Sequence, residues 1–185
     1  MSYASAEHDR MIAAMLMPCV VVGVDLAAAT VRVSNGEWTS AWVRWHSLAA
    51  GKARNWRAPS LGEQGALLSP SGQAGMGTFI PGLYGDAGAQ PDNRDHVEVW
   101  RFDDGGSLIY DWQAHSYTID LPAGTATIKV GGSVIEVMPG QVQITASQIA
   151  LVGPVIIDGT LNTTGNINSA GAIIDTAGNT PNHNH

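Results

Sequence analysis

Cysteine and long apolar runs are scarce in this sequence. Its 185 residues contain one cysteine, Cys19, so an intrachain disulfide framework is excluded. The longest apolar stretch, Met11 to Val24, is interrupted by Pro18. It is shorter than the roughly 20 residues that span a bilayer, and its acidic flank does not suit a secretory signal. We therefore expect synthesis in the cytoplasm without export by the common signal route.

Basic residues are also few. Lysine and arginine number 9 against 16 aspartate and glutamate, which gives a net charge of −7. Proteins that depend on binding phosphate need clustered basic side chains, so this balance argues against a nucleic-acid-binding role. The hydrophobic content of 44% is too high for a disordered chain. The composition therefore predicts a folded, acidic protein.

Charge of either sign almost disappears after residue 120. The last third of the chain contains only Lys129, Glu136, Asp158 and Asp175, whereas all six tryptophans precede it. Gly, Thr, Ser, Asn, Gln, Val and Ile make up most of this part. An ordinary globular surface carries far more charge, so the segment is either a linker or a repeat structure.

A regular pattern of apolar pairs favours the repeat structure. The two members of each pair are two residues apart, and successive pairs recur every seven residues and then after six: Ile128/Val130, Ile135/Val137, Val142/Ile144, Ile149/Leu151 and Val155/Ile157. A spacing of two places both side chains on one face of a strand, whereas a coiled coil needs spacings of three and four. Glycine and proline separate the pairs, as at Gly131-Gly132 and Pro139-Gly140. The pattern predicts a stack of very short strands.

One such strand cannot bury its two apolar side chains alone, so the stack must close on itself. Three consecutive strands of one chain could form the sides of a left-handed β-helix. Alternatively, three chains could each supply one side of an intertwined β-helix. The periodicity is compatible with both closures.

The first two thirds of the chain predict a short helix over residues 2–17 and then a small antiparallel β-domain, a barrel or a sandwich. The predicted strands are Cys19–Val24, Thr30–Val33, Trp38–Trp45, Gly65–Ser69 and Met76–Ile80. Residues 85–95 are predicted to form a polar linker. Two further strands, Val97–Phe102 and Ser107–Trp112, flank Asp103-Asp104-Gly105-Gly106, which we interpret as a hairpin turn and not as a carboxylate site.

Residues 39–84 are similar to the N-terminal domain of baseplate spike proteins of contractile phage tails, the gpV-like family, and of R-type pyocins. The most specific matching positions are Trp56, Ala58-Pro59-Ser60, Gly62-Glu63-Gln64 and Pro81-Gly82. Residues 100–111 resemble the entry to the spike shaft, and the C-terminal residues 181–185, PNHNH, resemble the His-x-His tip of the family.

The resemblance implies an all-β homotrimer. It implies an N-terminal helical segment (residues 1–17), an OB-fold collar (18–95), an intertwined β-helical shaft (96–178) and a metal-binding tip (179–185). The implied function is a non-enzymatic spike that penetrates the bacterial outer envelope when the sheath contracts. The implied partners are the tail tube end, the baseplate hub proteins and, transiently, the outer membrane, and the implied location is the baseplate tip of a virion or bacteriocin particle.

His183 and His185 are the candidate metal ligands. On an extended chain, positions two apart point the same way, so one chain offers two imidazoles. Three chains on a threefold axis would gather six imidazoles, a number that suits an octahedral ion better than tetrahedral zinc. The resemblance implies iron, one ion per trimer.

One basic cluster remains, formed by Arg44, Lys52, Arg54 and Arg57 and interleaved with Trp42, Trp45 and Trp56. In a collar, tryptophan and arginine are the usual anchors of protein interfaces, and we expect them to dock other tail proteins. Two other functions stay open at this point. An OB-fold with this cluster could bind single-stranded nucleic acid, and a single-chain β-helix could be a hexapeptide-type acyltransferase.

Overall fold

The computed structural model describes residues 3–172 of the chain, so His183 and His185 lie outside the described residues. The chain divides into two compact units, Met1–Pro122 and Ala123–His185. Strands are the main regular elements of both units within the described residues. Within residues 3–172, no helix combines the length and the apolar content that crossing a bilayer requires.

The first unit opens with one helix and a five-stranded barrel. The helix α1 spans Tyr3–Ala13, and the barrel strands are β1 (Leu16–Asp25), β2 (Thr30–Ser34), β3 (Val43–Trp45), β4 (Gln64–Leu68) and β5 (Thr78–Leu83). Two short 3-10 helices, Pro70–Gly72 and Ala74–Met76, connect β4 to β5. The strands follow the order β1-β2-β3-β5-β4 around the barrel, and β4 closes it by pairing with β1. All pairings are antiparallel except that of β3 with β5.

The barrel interior is filled by alternate residues of its strands. Val31, Val33, Leu67 and Phe79 are fully buried, as expected where every second side chain of a strand points inward. Packing explains the glycine at position 65, because a Cβ there would lie 2.5 Å from the Phe79 ring and 2.3 Å from the Ile80 carbonyl oxygen. The missing side chain lets β4 approach β5 closely.

Two elements, the helix and the third strand, are shorter in the structure than the sequence predicted. The helix ends at Ala13 and not at residue 17, because the chain from Leu16 onward pairs with β4. Of the predicted strand Trp38–Trp45, only Val43–Trp45 is a strand. The Asn35 side chain accepts hydrogen bonds from the backbone N–H groups of Glu37 and Trp38, which holds the preceding residues in a turn.

A separate three-stranded sheet follows the barrel in the same unit, formed by β6 (Val97–Arg101), β7 (Ser107–Asp111) and β8 (Ser116–Asp120) in the order β6-β7-β8. The β6–β7 connection is the predicted hairpin turn. Its Asp104 carboxylate accepts a hydrogen bond from the Gly106 N–H at 2.9 Å, and Gly105 has a φ of 88°. The strand β8 was not predicted from the sequence.

The second unit contains an antiparallel meander of three strands, β9 (Ala126–Val130), β10 (Ser133–Met138) and β11 (Gln141–Thr145). Two-residue turns at Gly131-Gly132 and Pro139-Gly140 join the strands, and Gly131 and Gly140 have positive φ angles of 56° and 76°. The seven-residue period is therefore one strand plus one tight turn. Between residues 146 and 172 the structure has no strand, although the pairs Ile149/Leu151 and Val155/Ile157 had predicted two.

The predicted fold class is confirmed for the described residues. They form a mostly β chain with a short N-terminal helix, an OB-type five-stranded barrel and short strands after it. A single-chain left-handed β-helix does not fit residues 126–145. Such a helix stacks parallel strands from successive turns, whereas these strands pair antiparallel with their sequence neighbours.

Candidate functional site

One face of the β9–β11 meander is apolar, and the described residues of one chain do not cover it. Its register places Ile128 opposite Ile135 and Ile135 opposite Ile144, and it places Val137 opposite Val142. These side chains are between 39% and 65% exposed. The opposite face presents mainly Thr, Lys, Gln and Glu. A sheet this small with one bare aliphatic face is not stable alone in water, so the face needs a partner.

The described chain beyond the meander continues this character. Residues 146–172 contain one charged side chain, Asp158, and their large aliphatic side chains are all more than half exposed. These side chains belong to Ile149, Leu151, Val152, Val155, Ile156, Ile157, Leu161 and Ile167. Among the residues that the structure describes in one protomer, this segment has neither a sheet partner nor a core.

The β6–β8 sheet has an aromatic face. In register across its three strands, Glu98 lies opposite Tyr110 and Tyr110 opposite Tyr117; the next row contains Trp100, Leu108 and Ile119. The Tyr110 and Tyr117 rings are 6.4 Å apart, and the Trp100 indole N–H donates to Glu98 at 3.1 Å. Trp100, Tyr110, Tyr117 and Ile119 remain 44% to 62% exposed. This face is thus a second large apolar surface that residues 3–172 of one chain leave without a cover.

Comparisons with known proteins account for both surfaces. Residues 98–169, which include the aromatic sheet and the meander, match the family described as "Gp138, beta helical trimerization domain". Residues 17–84 match the family described as "Type VI secretion system/phage-baseplate injector OB domain". The spike protein of Escherichia phage P2 is 29% identical over 152 residues, which are 82% of this chain and 71% of that protein.

The two family matches and the phage P2 relative together support a baseplate spike protein. The predicted family is therefore confirmed, as is the fold class of an OB barrel followed by a trimeric β-helical segment. The bare faces of this spike lie within the matched trimerization domain, where copies of the same chain can cover them.

The predicted basic and aromatic cluster of the collar divides into separate groups. The Trp45 and Trp56 rings meet edge to face at 5.4 Å, with Trp45 packed on the core. Arg57 is neutralised by an ion pair with Glu63. Arg44 stands exposed on β3, and Lys52 and Arg54 are exposed in the loop that follows it.

Arg32, which was not among the predicted basic residues, joins Arg44 on the outward side of β2 and β3. The Arg32 Nε donates to the Ser40 carbonyl at 3.0 Å, and the Arg32 Cβ and the Trp42 ring both lie beside Gly23. Alternation along β2 could have found it, since Val31 and Val33 point inward. Residues 30–57 contain five of the nine basic side chains of the chain and one of its sixteen acidic ones. We call Arg32, Arg44, Lys52 and Arg54 the basic surface.

Single-stranded nucleic acid is a poor match for this OB barrel. OB-folds that bind nucleic acid use the face of strands 2 and 3 together with the β1–β2 and β4–β5 loops. Here those loops, residues 26–29 and 69–77, contain no lysine or arginine. The basic surface thus lacks the flanking contacts that would follow a phosphate backbone.

An ion cluster fastens the linker between the barrel and the β6–β8 sheet. Arg94 donates to both carboxylate oxygens of Asp92, at 2.8 and 3.0 Å, and its remaining Nη lies 3.4 Å from Asp111 at the end of β7. The Arg94 guanidinium, helped by backbone N–H groups, holds the pKa of Asp92 well below its usual range. Backbone N–H groups of Ala114 and Gln113 lower the pKa of Asp111, assisted by His96 and Arg94. The linker is therefore attached to the first sheet of the trimerization domain by oriented charges.

No residue of the described range adds a metal centre to the predicted tip, since residues 3–172 contain no group of three or more His, Cys, Asp or Glu side chains placed to share an ion. Cys19 is buried in the barrel, and this burial raises the pKa of its thiol. It is therefore a core side chain and not a reactive thiol.

We predict that Arg94→Gln flattens the acid dependence of stability. The pKa values of Asp92 and Asp111 are lowered in the folded state, so their contribution is present above their ordinary pKa and is lost as the pH falls below about 4. Without Arg94 the Asp92 pKa returns toward its ordinary value and less stability remains to be lost. Thermal unfolding midpoints measured at a series of pH values from neutral to acid test this.

Arg101→Gln is the matched control, because it removes the same charge from an exposed strand position seven residues away. It should keep the acid dependence of the unmodified chain. Equal slopes for the two variants would show that the Arg94 cluster is not the source.

Proposed function

We propose that this spike pierces the bacterial outer envelope when the sheath of a contractile tail shortens, and that it does so mechanically, without catalysis. Its collar adapts the threefold shaft to the tail tube end and the baseplate hub. The shaft is a homotrimer in which each chain supplies strands to a shared apolar interior. The same parts would serve an infecting phage or a bacteriocin.

The uncovered apolar face of β9–β11 is the observation that supports this proposal most directly. Its six aliphatic side chains, with two residues from each strand, are exposed in one chain and would meet their copies around a threefold axis. Burying an aliphatic side chain contributes roughly 1.5–3 kcal/mol, and each would occur three times per layer. A dry interior with hydrogen-bonded sheets outside it resists bending, as a piercing device requires.

The collar docking is supported by the basic surface. Its four basic side chains are exposed, as are Trp42 and Trp56, in an otherwise acidic chain. A tail protein that matches this surface carries acidic groups. Binding of the collar to the hub should accordingly weaken as the salt concentration rises, because exposed charge pairs are screened.

We predict that Ile144→Lys abolishes the trimer. The substitution places three ammonium groups in the apolar interior, where an unpaired charge is not tolerated. Mass measurement in solution should give about 58 kDa for the unmodified chain, three times the 19.4 kDa of one copy. The variant should give single chains or aggregates.

Gln143→Lys supplies the control. It introduces the same side chain one position earlier on β11, on the opposite face of the sheet. This variant should remain trimeric. A stable folded monomer of the unmodified chain, or a trimer that tolerates lysine equally at both positions, would contradict the proposed shaft.

The scarcity of charge on the shaft suits passage through lipid. Moving a charge into a bilayer costs several kcal/mol, whereas hydroxyl and amide groups cost less. We therefore expect particles that carry the trimeric Gln143→Lys spike to penetrate the envelope more slowly than unmodified particles. Killing or infection kinetics measure this, and the uncharged variant Gln143→Thr should behave as the unmodified spike. Unchanged kinetics with several added lysines would remove low surface charge from the mechanism.

The tip is the remaining part of the proposal, since His183 and His185 lie outside the described residues. Two imidazoles per chain and six per trimer are a donor set that fits an octahedral transition-metal ion such as iron. Such an ion would tie three chain ends together. It would supply structural strength without an open coordination position for catalysis.

We predict about one metal ion per three chains in the purified protein. The double variant His183→Ala/His185→Ala should lose this ion and remain trimeric, because the apolar shaft holds the chains together. His115→Ala, which changes a histidine in the β7–β8 turn, should retain it. Elemental analysis of the trimer fraction gives the ratio, and a metal-free unmodified trimer would overturn the tip assignment.

A further inference from the structure

The connection between β2 and β3 contains the one asparagine of the sequence that a glycine follows, Asn35-Gly36. Both residues are exposed, and Gly36 has a φ of 95° in the turn. A glycine has no side chain to shield its backbone nitrogen, so this nitrogen is open to the preceding side chain. The turn thus places an electrophilic carbon, the Asn35 Cγ, beside an unhindered backbone nitrogen.

Two backbone donors hold the side-chain oxygen of Asn35. The Oδ1 atom accepts hydrogen bonds from the N–H groups of Glu37 at 3.0 Å and Trp38 at 3.1 Å. When a nucleophile adds to Cγ, this oxygen becomes an oxyanion. Paired N–H donors aimed at such an oxygen are the arrangement by which acyl-transfer enzymes stabilise it. The turn therefore polarises the amide and stabilises the charge that forms on addition.

A hydroxyl group is bonded to the neighbouring nitrogen. The Gly36 N–H donates to Ser34 Oγ at 3.1 Å, and this hydroxyl in turn donates to the Trp38 carbonyl at 2.7 Å. A hydroxyl that donates one hydrogen bond becomes a better acceptor of another. The Gly36 nitrogen loses its proton when it attacks a carbonyl carbon, and Ser34 Oγ is within reach to receive that proton.

We propose that Asn35 is a site of intramolecular deamidation. The Gly36 nitrogen forms a bond to the Asn35 Cγ, which closes a succinimide ring, and the bond between Cγ and Nδ2 breaks. The proton removed from Gly36 passes through Ser34 Oγ and solvent to the departing nitrogen, which leaves as ammonia. One water molecule then opens the ring, at Cγ to give aspartate or at the main-chain carbonyl to give isoaspartate. The reaction needs no cofactor, oxidant or reductant.

The reaction changes both the charge and the geometry of the barrel. Each conversion adds one negative charge beside a groove that residues 34–36 share with Pro18, Cys19, Val20, Gln64, Gly65 and Leu83. The described residues that line this groove include no basic side chain to offset the charge. Isoaspartate also adds a methylene to the main chain between β2 and β3, the strands that carry Arg32 and Arg44 of the basic surface. The collar of a stored particle would therefore change with age.

Peptide mapping of the purified full-length protein, stored at mildly alkaline pH and sampled over weeks, tests the proposal. Deamidation replaces an amide NH2 group by a hydroxyl, which mass spectrometry resolves, and enzymatic methylation measures isoaspartate. Asn35 should convert many-fold faster than Asn168, an exposed asparagine that is followed by the small residue serine. Both aspartate and isoaspartate should form at position 35. The reaction belongs to the single chain, so its outcome does not depend on the proposed trimer.

Two comparisons separate the effect of the turn from that of the Asn-Gly sequence alone. A synthetic peptide of residues 30–40 contains the same groups without the fixed turn, so the folded protein should convert several-fold faster than the peptide. Ser34→Ala removes the proton acceptor and should slow conversion several-fold, whereas Ser34→Thr keeps a hydroxyl and should restore the rate. Thermal unfolding shows that each variant is folded. The peptide comparison needs no variant and decides the question by itself.

An Asn35 side chain that stays intact in the folded protein while the peptide converts would show that the turn protects it, and this result overturns the proposal. Equal rates for the folded protein and the peptide, or for Asn35 and Asn168, also overturn it. So does an unchanged rate in a folded Ser34→Ala variant. Conversion that is fastest in the folded protein, slowed by Ser34→Ala and restored by Ser34→Thr, supports it.

Discussion

The burial of aliphatic side chains that one chain cannot cover is the constraint on which this structure depends. The barrel satisfies it internally, because its strands close into a ring and enclose Leu67 and Phe79 completely. The meander cannot, because a three-stranded sheet has two faces and only one layer. Its aliphatic face is buried only when other copies supply the second and third walls. Assembly is thus a requirement of folding in the shaft and not an addition to it.

The same constraint explains how charge is distributed along the chain. Charged side chains on the barrel, the linker and the β6–β8 sheet can remain hydrated, so they are tolerated there. In the shaft, three copies of each residue are held close to one another. A charge there would face its own copies at short range, and a chain whose shaft is nearly free of charge avoids that repulsion. Glu136 and Lys129, two of the few exceptions, lie on the polar face of the meander.

The local spacing of apolar residues predicted much of the strand structure. Apolar pairs two residues apart, separated by glycine or proline, were enough to place three of the shaft strands to within a few residues, because a two-residue turn and a period-two strand leave little freedom. The β8 strand was missed for the converse reason. The turn before it, Trp112–His115, lacks glycine, proline and asparagine, and its positive φ of 54° is adopted by His115, where sequence gives no warning.

Features that depend on distant strands could not be found in the sequence. The Asp92–Arg94–Asp111 cluster joins a linker to the end of a strand seventeen residues further on. Leu16, Leu68 and Thr78 form one row only after β1 has paired with β4 and β4 with β5. The predicted strands after Ile149 needed a partner edge that one chain does not provide. Sequence pattern thus predicted which residues form strands, while the choice of neighbours came from topology.

The closed barrel and the two three-stranded sheets also differ in their strand edges. A closed barrel has no free edge, so it cannot add strands from other chains and must associate through side chains, as the basic surface of this barrel allows. The sheets β6-β7-β8 and β11-β10-β9 each have two edge strands, whose outward-facing backbone N–H and C=O groups have no strand partner in the described part of one chain. Free edges beside an apolar face invite uncontrolled pairing unless a defined partner is held nearby. In the matched trimerization domain, other copies of the same chain are the partners that can cover these edges and faces.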